Sequence, residues 1–119
     1  MIKFIKNYYK NIDERGSLIG LINFGTWEEI NIINSKKDVI RGGHFHENTF
    51  EIFIILKGEI EITVNKINTD DIEKYLVKSG DVFLIEPMVS HVFEVKKNSK
   101  WINVLSKRID SICPDIHRI

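Results

Sequence analysis

Three histidines and a glutamate are spaced so that they can share one surface. His44 and His46 lie two apart, and in an extended strand such residues face the same side, so both imidazoles are presented together. Glu51 falls on the next apolar segment, and His91 follows in a later one, after Gly80 and Pro87. An imidazole titrates at about 6.5, so one ring can accept a proton while its neighbour donates one near neutral pH. The same His44, His46, Glu51 and His91 are also a complete three-histidine, one-carboxylate donor set for a divalent cation such as iron, manganese, nickel or zinc. The residues leave both chemistries open.

The elements that must carry these groups are strands. The apolar pattern has mostly period two, and β-branched and aromatic residues fill short runs at 2–5, 18–24, 30–33, 39–45, 50–56, 60–64, 72–77, 82–85, 91–95 and 101–105. Turn chemistry separates them at Asp13-Glu14-Arg15-Gly16, Ser79-Gly80-Asp81, Glu86-Pro87 and Lys97-Asn98-Ser99, and Lys57-Gly58-Glu59 is expected to be a tight hairpin connection. Short strands at this spacing predict an all-β sandwich or barrel. With no internal repeat or linker-like stretch, residues 1–119 are expected to form a single domain. After Ser106 the pattern fades; residues 109–111 can open a short helical turn, which Pro114 would limit, and His117 is expected to be exposed and unpartnered.

Composition excludes several partners. Lys plus Arg and Asp plus Glu both number 17, so no net field draws the chain to nucleic acid or to an anionic membrane. No run approaches the ~20 apolar residues of a membrane-crossing helix. Met1 to Asn11 mixes Ile, Phe and Tyr with Lys and Asn and lacks the apolar run of a signal peptide, and Cys113 is the only cysteine, so a cytoplasmic protein without an internal disulfide is expected.

The segment His44-x-His46-x-x-x-x-Glu51, with six residues to Gly58, resembles the first motif of the cupins, and Gly80…Pro87…His91 resembles the second. In the second, Pro87 stands one place late, and Val89 and Val95 replace the usual Gly and Asn. The resemblance implies a cupin jelly-roll, an antiparallel β-barrel. Asp13-Glu14-Arg15-Gly16 and Arg41-Gly42-Gly43-His44 narrow it: they are similar to segments of the dTDP-sugar cupins, the 3,4-ketoisomerases and the dTDP-4-dehydrorhamnose 3,5-epimerases. Pro87-x-x-x-His91 looks like the ketoisomerase form of the second motif.

This narrower resemblance implies an isomerase acting on a nucleoside-diphosphate-linked 4-keto-6-deoxy sugar, by proton transfer at a carbon next to the ketone and without a cofactor. The ketoisomerases assign the base to His46 with His44 as its partner, whereas the epimerases match their base to His44. Arg15 and Arg41 would hold the diphosphate, because a guanidinium keeps its charge and pairs with phosphate oxygens; His91 and Glu51 would complete the substrate site. The resemblance also implies a homodimer in which Arg15 reaches a neighbouring subunit's site and residues 3–9 supply an exchanged edge strand. Against both reactions, the chain is short for these enzymes at its carboxy-terminal end. Two other functions fit the same residues: a metal-dependent cupin enzyme using His44, His46, Glu51 and His91, and a cupin that binds a sugar without catalysis. Plainer readings are a solvated strand face for His44 and His46, a structural role for His91 and surface charges for Arg15 and Arg41.

Overall fold

The period-two alternation resolves into ten strands and no helix over residues 1–119 of the computed structural model. They are β1 (Ile2–Phe4), β2 (Tyr9–Asp13), β3 (Gly16–Gly20), β4 (Glu29–Ser35), β5 (Ile40–Phe45), β6 (Glu51–Lys66), β7 (Ile72–Lys78), β8 (Val82–Ile85), β9 (Val89–Leu105) and β10 (His117–Arg118). The two long strands, β6 and β9, pair antiparallel from Glu51 opposite Leu105 to Lys66 opposite Val89. One end of β6 pairs with β8 and the other with β7, while β9 pairs with β5 and then with β4. Each long strand therefore serves two groups of neighbours, and the sheet wraps into an antiparallel barrel.

Side-chain parity explains both long strands. In β9, Val89, His91, Phe93, Val95 and Trp101 are all buried and all odd-numbered, so one face stays inward throughout, and the expected turn at 97–99 is absent. In β6, Phe53 and Ile55 face the same core as Ile60, Ile62 and Val64. The step from 55 to 60 is odd, so one extra residue must be absorbed between them. The hairpin expected at Lys57-Gly58-Glu59 is instead a bulge within one strand, marked by register shifts between Ile55 and Ile60. Gly58 permits it: its φ is 106°, and a Cβ there would meet Ser99 Oγ at 2.1 Å and Asn98 O at 2.7 Å.

The interior is an aromatic and branched-aliphatic cluster around Phe53, Phe83, Phe93 and Trp101. Burying each such side chain stabilises the fold by about 1.5–3 kcal/mol. The opposite face of 52–54, 82–84 and 102–104 is covered by Ile5, Leu21, Ile22 and Trp27.

The amino-terminal region differs from expectation. Ile2–Phe4, the first part of the segment expected to be exchanged, pairs with β8 of its own chain. The turn at 13–16 exists but joins β2 to β3, whose ladder from Tyr9–Gly20 to Asp13–Gly16 forms a separate two-stranded sheet. The strand expected over 18–24 therefore stops at Gly20. The carboxy-terminal tail contains no helical turn and instead returns to the barrel, where β10 pairs with β5. No helix is long and apolar enough to cross a membrane.

Candidate active site

The two adjacent glycines of β5 set the orientation of the site. Arg41 lies opposite Phe93 and Gly42 opposite Val92, but His44 lies opposite His91, so the register slips by one residue. Residues directly opposite in an antiparallel ladder point the same way. Because Phe93 and His91 both face inward, the bulge turns both Arg41 and His44 toward the interior, although their spacing of three would otherwise send them to opposite faces. Gly42 and Gly43 have φ of 86° and 78°, a region open to glycine. At Gly42 a Cβ would also lie 2.5 Å from the His91 carbonyl oxygen.

His44, His46 and His91 converge, with ring centroids 5.1, 4.7 and 5.6 Å apart for the 44–46, 44–91 and 46–91 pairs. Glu51 lies among them: its Oε1 is 2.6 Å from His46 Nε2 and 3.2 Å from His91 Nε2, and its Oε2 accepts from Asn103 Nδ2 at 3.0 Å. The second of these is an ion-pair distance and not a hydrogen bond. His91 Nδ1 donates to the Val89 carbonyl, which leaves Nε2 buried and without a partner. The Oδ1 of Asn103 is the other buried side-chain polar atom in this condition.

These residues line a cavity of about 160 Å³ walled by Phe53, Phe93, Trp101 and Leu105, and by Ile109 and Ile116 of the tail. Arg41 is part of the wall. Its Nε donates to Ser35 Oγ at 2.8 Å and its Nη2 to the Asn34 carbonyl at 3.3 Å, leaving the rest of its N–H fork unspent. Arg15 is not brought to the cavity. It sits 80 % exposed at the β2–β3 turn, with its guanidinium against Asp13.

The three histidines occupy different electrostatic environments. Burial, then the neighbouring His91 and His46, lowers His44 to about 4, so its ring is neutral at pH 7; no hydrogen bond favours its charged form. It is also the only one of the three that is partly accessible, since His46 and His91 are buried. Burial works against a charge on His46 as well, but the Glu51 carboxylate and the Asp115 carbonyl outweigh it and raise its pKa. For Glu51, burial is overcome by His46 and His91, which hold the carboxyl well below its usual range. His46 and Glu51 therefore form a buried ion pair, with His46 Nδ1–H donating to the carbonyl oxygen of Asp115 and Nε2–H to Glu51.

Sequence reasoning missed Asn103 and Asp115 and misplaced His117. Asn103 alternates with the inward residues Trp101 and Leu105, and that parity was the available signal. Asp115 carried no signal, being 69 residues from His46 in an aperiodic tail. His117, expected to be unpartnered, pairs with Phe45 across the β10–β5 ladder, tilts against its ring and lies 3.0 Å from Asp115 Oδ1.

The donor atoms of His44, His46, Glu51 and His91 all lie within 4.8 Å of one another. Two ligands of one zinc-sized ion, each about 2.0–2.2 Å from it, can be at most ~4.4 Å apart, so the set fits a cation after a contraction of a few tenths of an ångström. The unpartnered His91 Nε2 suits such a ligand role.

A family model described as the polysaccharide biosynthesis C-terminal domain matches residues 11–105. No match is found among curated proteins. Among solved structures, the WlaRB TDP-quinovose 3,4-ketoisomerase from Campylobacter jejuni is 22% identical with a TM-score of 0.84, covering 99% of this chain and 92% of that one. A 3,4-ketoisomerase from Helicobacter canadensis is 22% identical with a TM-score of 0.81, covering 99% and 90%. The capsular polysaccharide assembling protein CapF from Staphylococcus aureus is 24% identical with a TM-score of 0.74; the match covers 93% of this chain but only 34% of CapF, so the chain spans about a third of that protein's length. At these identities the likeness establishes the fold alone, an antiparallel jelly-roll β-barrel.

Proposed function

The chain belongs to the family of polysaccharide biosynthesis C-terminal domains, and from that premise we propose that it isomerises a nucleoside-diphosphate-linked 4-keto-6-deoxy sugar, as a 3,4-ketoisomerase. The observation that carries the reading is the asymmetry of the histidines: a neutral, reachable His44 beside a buried, hydrogen-bonded His46. His44 is the base that removes the proton from the carbon next to the ketone. His44 then delivers that proton to the adjoining carbon as the ketone forms next to it and the hydroxyl proton passes between the two oxygens, while His46, its N–H groups held by Asp115 and Glu51, stabilises the negative oxygen through its positive charge. This reverses the roles that the ketoisomerase resemblance assigned to the pair, and agrees with the epimerase pattern. Solved structures of similar fold include two 3,4-ketoisomerases, one of them named for TDP-quinovose, which supports the substrate class.

A cavity of about 160 Å³ is smaller than the roughly 300–1,000 Å³ of a pocket that encloses a drug-sized ligand, so the sugar enters and the nucleotide lies at the rim. Arg41 stands in the wall to meet the diphosphate. Arg15, remote from its own cavity, contributes only from a second copy, so a homodimer is part of the proposal. We place the enzyme in the cytoplasm, since Cys113 is a free, exposed thiol.

The test is incubation with dTDP-4-keto-6-deoxyglucose in heavy water. Deuterium at one ring carbon with migration of the ketone supports ketoisomerase; incorporation at two carbons without migration makes the protein a 3,5-epimerase; binding without incorporation leaves a sugar-binding cupin and refutes both reactions.

The unpartnered His91 Nε2 favours a second reading, in which His44, His46, Glu51 and His91 hold a divalent cation. When bound, such an ion polarises a sugar oxygen as a Lewis acid. Elemental analysis of protein purified without added metal, with activity measured before and after chelation, separates the readings. Stoichiometric metal and loss of exchange on chelation support the second.

A further inference from the structure

His46 lies one residue past the end of β5, where no strand ladder holds it. On the barrel side its carbonyl accepts from the Met88 N–H at 2.7 Å. Its ring is held by the tail. The Asp115 carboxylate gathers four donors: Oδ1 accepts from the Glu47 N–H at 2.8 Å and lies 3.0 Å from His117 Nε2, and Oδ2 accepts from the Asn48 N–H at 2.9 Å and from Thr49 Oγ1 at 2.8 Å. The backbone carbonyl of the same residue accepts from His46 Nδ1–H. Asp115 thus grips the turn that follows His46 with its side chain and the imidazole itself with its main chain.

From this geometry we propose that Asp115 is a positioning residue that fixes the ring orientation of His46 and so aims Nε2 at Glu51 and the cavity. A ring turned by 180° would place carbon against both the Asp115 carbonyl and Glu51, forfeiting two charge-assisted hydrogen bonds. The side chain is needed because the carbonyl belongs to an aperiodic segment, anchored nearby by the two-residue β10, by Arg118 Nη1 donating to the Gly42 carbonyl at 3.3 Å and by His117 against Phe45 and Glu47. Ile116, next in sequence, lines the cavity, so the same anchor also sets part of its wall. The inference deepens the proposed isomerase reading and rests on it only for its kinetic consequence.

The test compares Asp115→Ala with Asp110→Ala. Asp110 caps another turn of the tail, accepting from the Ile112 and Cys113 N–H groups, and touches nothing in the cavity. The direct readout is the His46 Nδ1–H proton at fixed pH, expected in the unmodified protein as a downfield, slowly exchanging resonance. It should disappear in Asp115→Ala and persist in Asp110→Ala. In the deuterium-incorporation assay, kcat should fall about 10- to 100-fold in Asp115→Ala with KM within about twofold, the scale expected from misplacing one catalytic group. Asp115→Asn, which retains one acceptor oxygen, should recover part of the loss, and it carries the same comparison if the alanine variant does not fold. A folded Asp115→Ala protein that keeps the slowly exchanging proton overturns the proposal whatever the substrate, as does an Asp115→Asn protein whose proton is as well protected as in the unmodified protein, or an Asp110→Ala protein with the same loss. If the resonance responds as expected but the unmodified protein incorporates no deuterium, the positioning role stands and the isomerase reading fails.

Discussion

Replacing Gly42 by alanine probes the bulge on which the site's geometry depends, and Gly43 beside it supplies the control. Both glycines have positive φ, 86° and 78°, so a side chain at either costs about 1–2 kcal/mol for the left-handed backbone. At Gly43 the cost ends there, because nothing lies within 4 Å of an added Cβ. At Gly42 the Cβ would meet the His91 carbonyl oxygen at 2.5 Å and Phe93 Cδ2 at 3.3 Å. The first neighbour is backbone inside the β5–β9 ladder and cannot rotate away, so overpacking adds about 1–3 kcal/mol. For a chain of this size 1 kcal/mol corresponds to roughly 3–6 °C in Tm, so Gly42→Ala should melt roughly 3–18 °C below Gly43→Ala. Thermal unfolding followed by circular dichroism measures the difference, and deuterium incorporation reports the site. Displacing His91 from His44 should make the incorporation rate fall more in Gly42→Ala than in Gly43→Ala. Equal melting temperatures would refute the claim that close backbone approach, beyond φ alone, demands glycine at Gly42.

Further outcomes follow from the ionisable groups of the site. His44 is lowered to about 4 from an ordinary 6.5, so between those pH values the unfolded chain takes up a proton that the folded chain refuses. Stability should therefore fall on acidification across that window, His44→Asn should flatten the slope in pH-dependent unfolding, and turnover should be lost as the pH drops through about 4. Glu51→Ala leaves the buried His46 cation without its carboxylate and should cost about 3–5 kcal/mol in denaturant unfolding; Glu51→Gln keeps an acceptor oxygen and should cost clearly less, and equal losses would show that the ion pair contributes nothing beyond packing.

Much of this architecture is written in local pattern. Period two along the chain is enough for an all-β barrel, and the inward residues 53, 55, 60, 62 and 64 change parity across Gly58, which a chain reversal or a bulge accommodates equally. Lys57-Gly58-Glu59 reads as a hairpin, because a glycine flanked by charges suits either a chain reversal or a bulge. Only the partner strand decides: Lys97–Ser99 of β9 run past the glycine and leave no room for a Cβ. The pairing of His44 with His46, and of both with Glu51 and His91, was likewise legible from spacing. Their protonation was not. That the reachable His44 is neutral and the buried His46 cationic depends on which imidazole hydrogen-bonds a carboxylate and which is buried beside other imidazoles without such a bond. The Asp115 carbonyl, 69 residues from His46, enters through an irregular tail with no periodicity to announce it. Local sequence sets which groups face inward, because side-chain direction in a strand is a nearest-neighbour property. Charge and orientation depend on contacts distant in sequence, and those exist only once the barrel has closed.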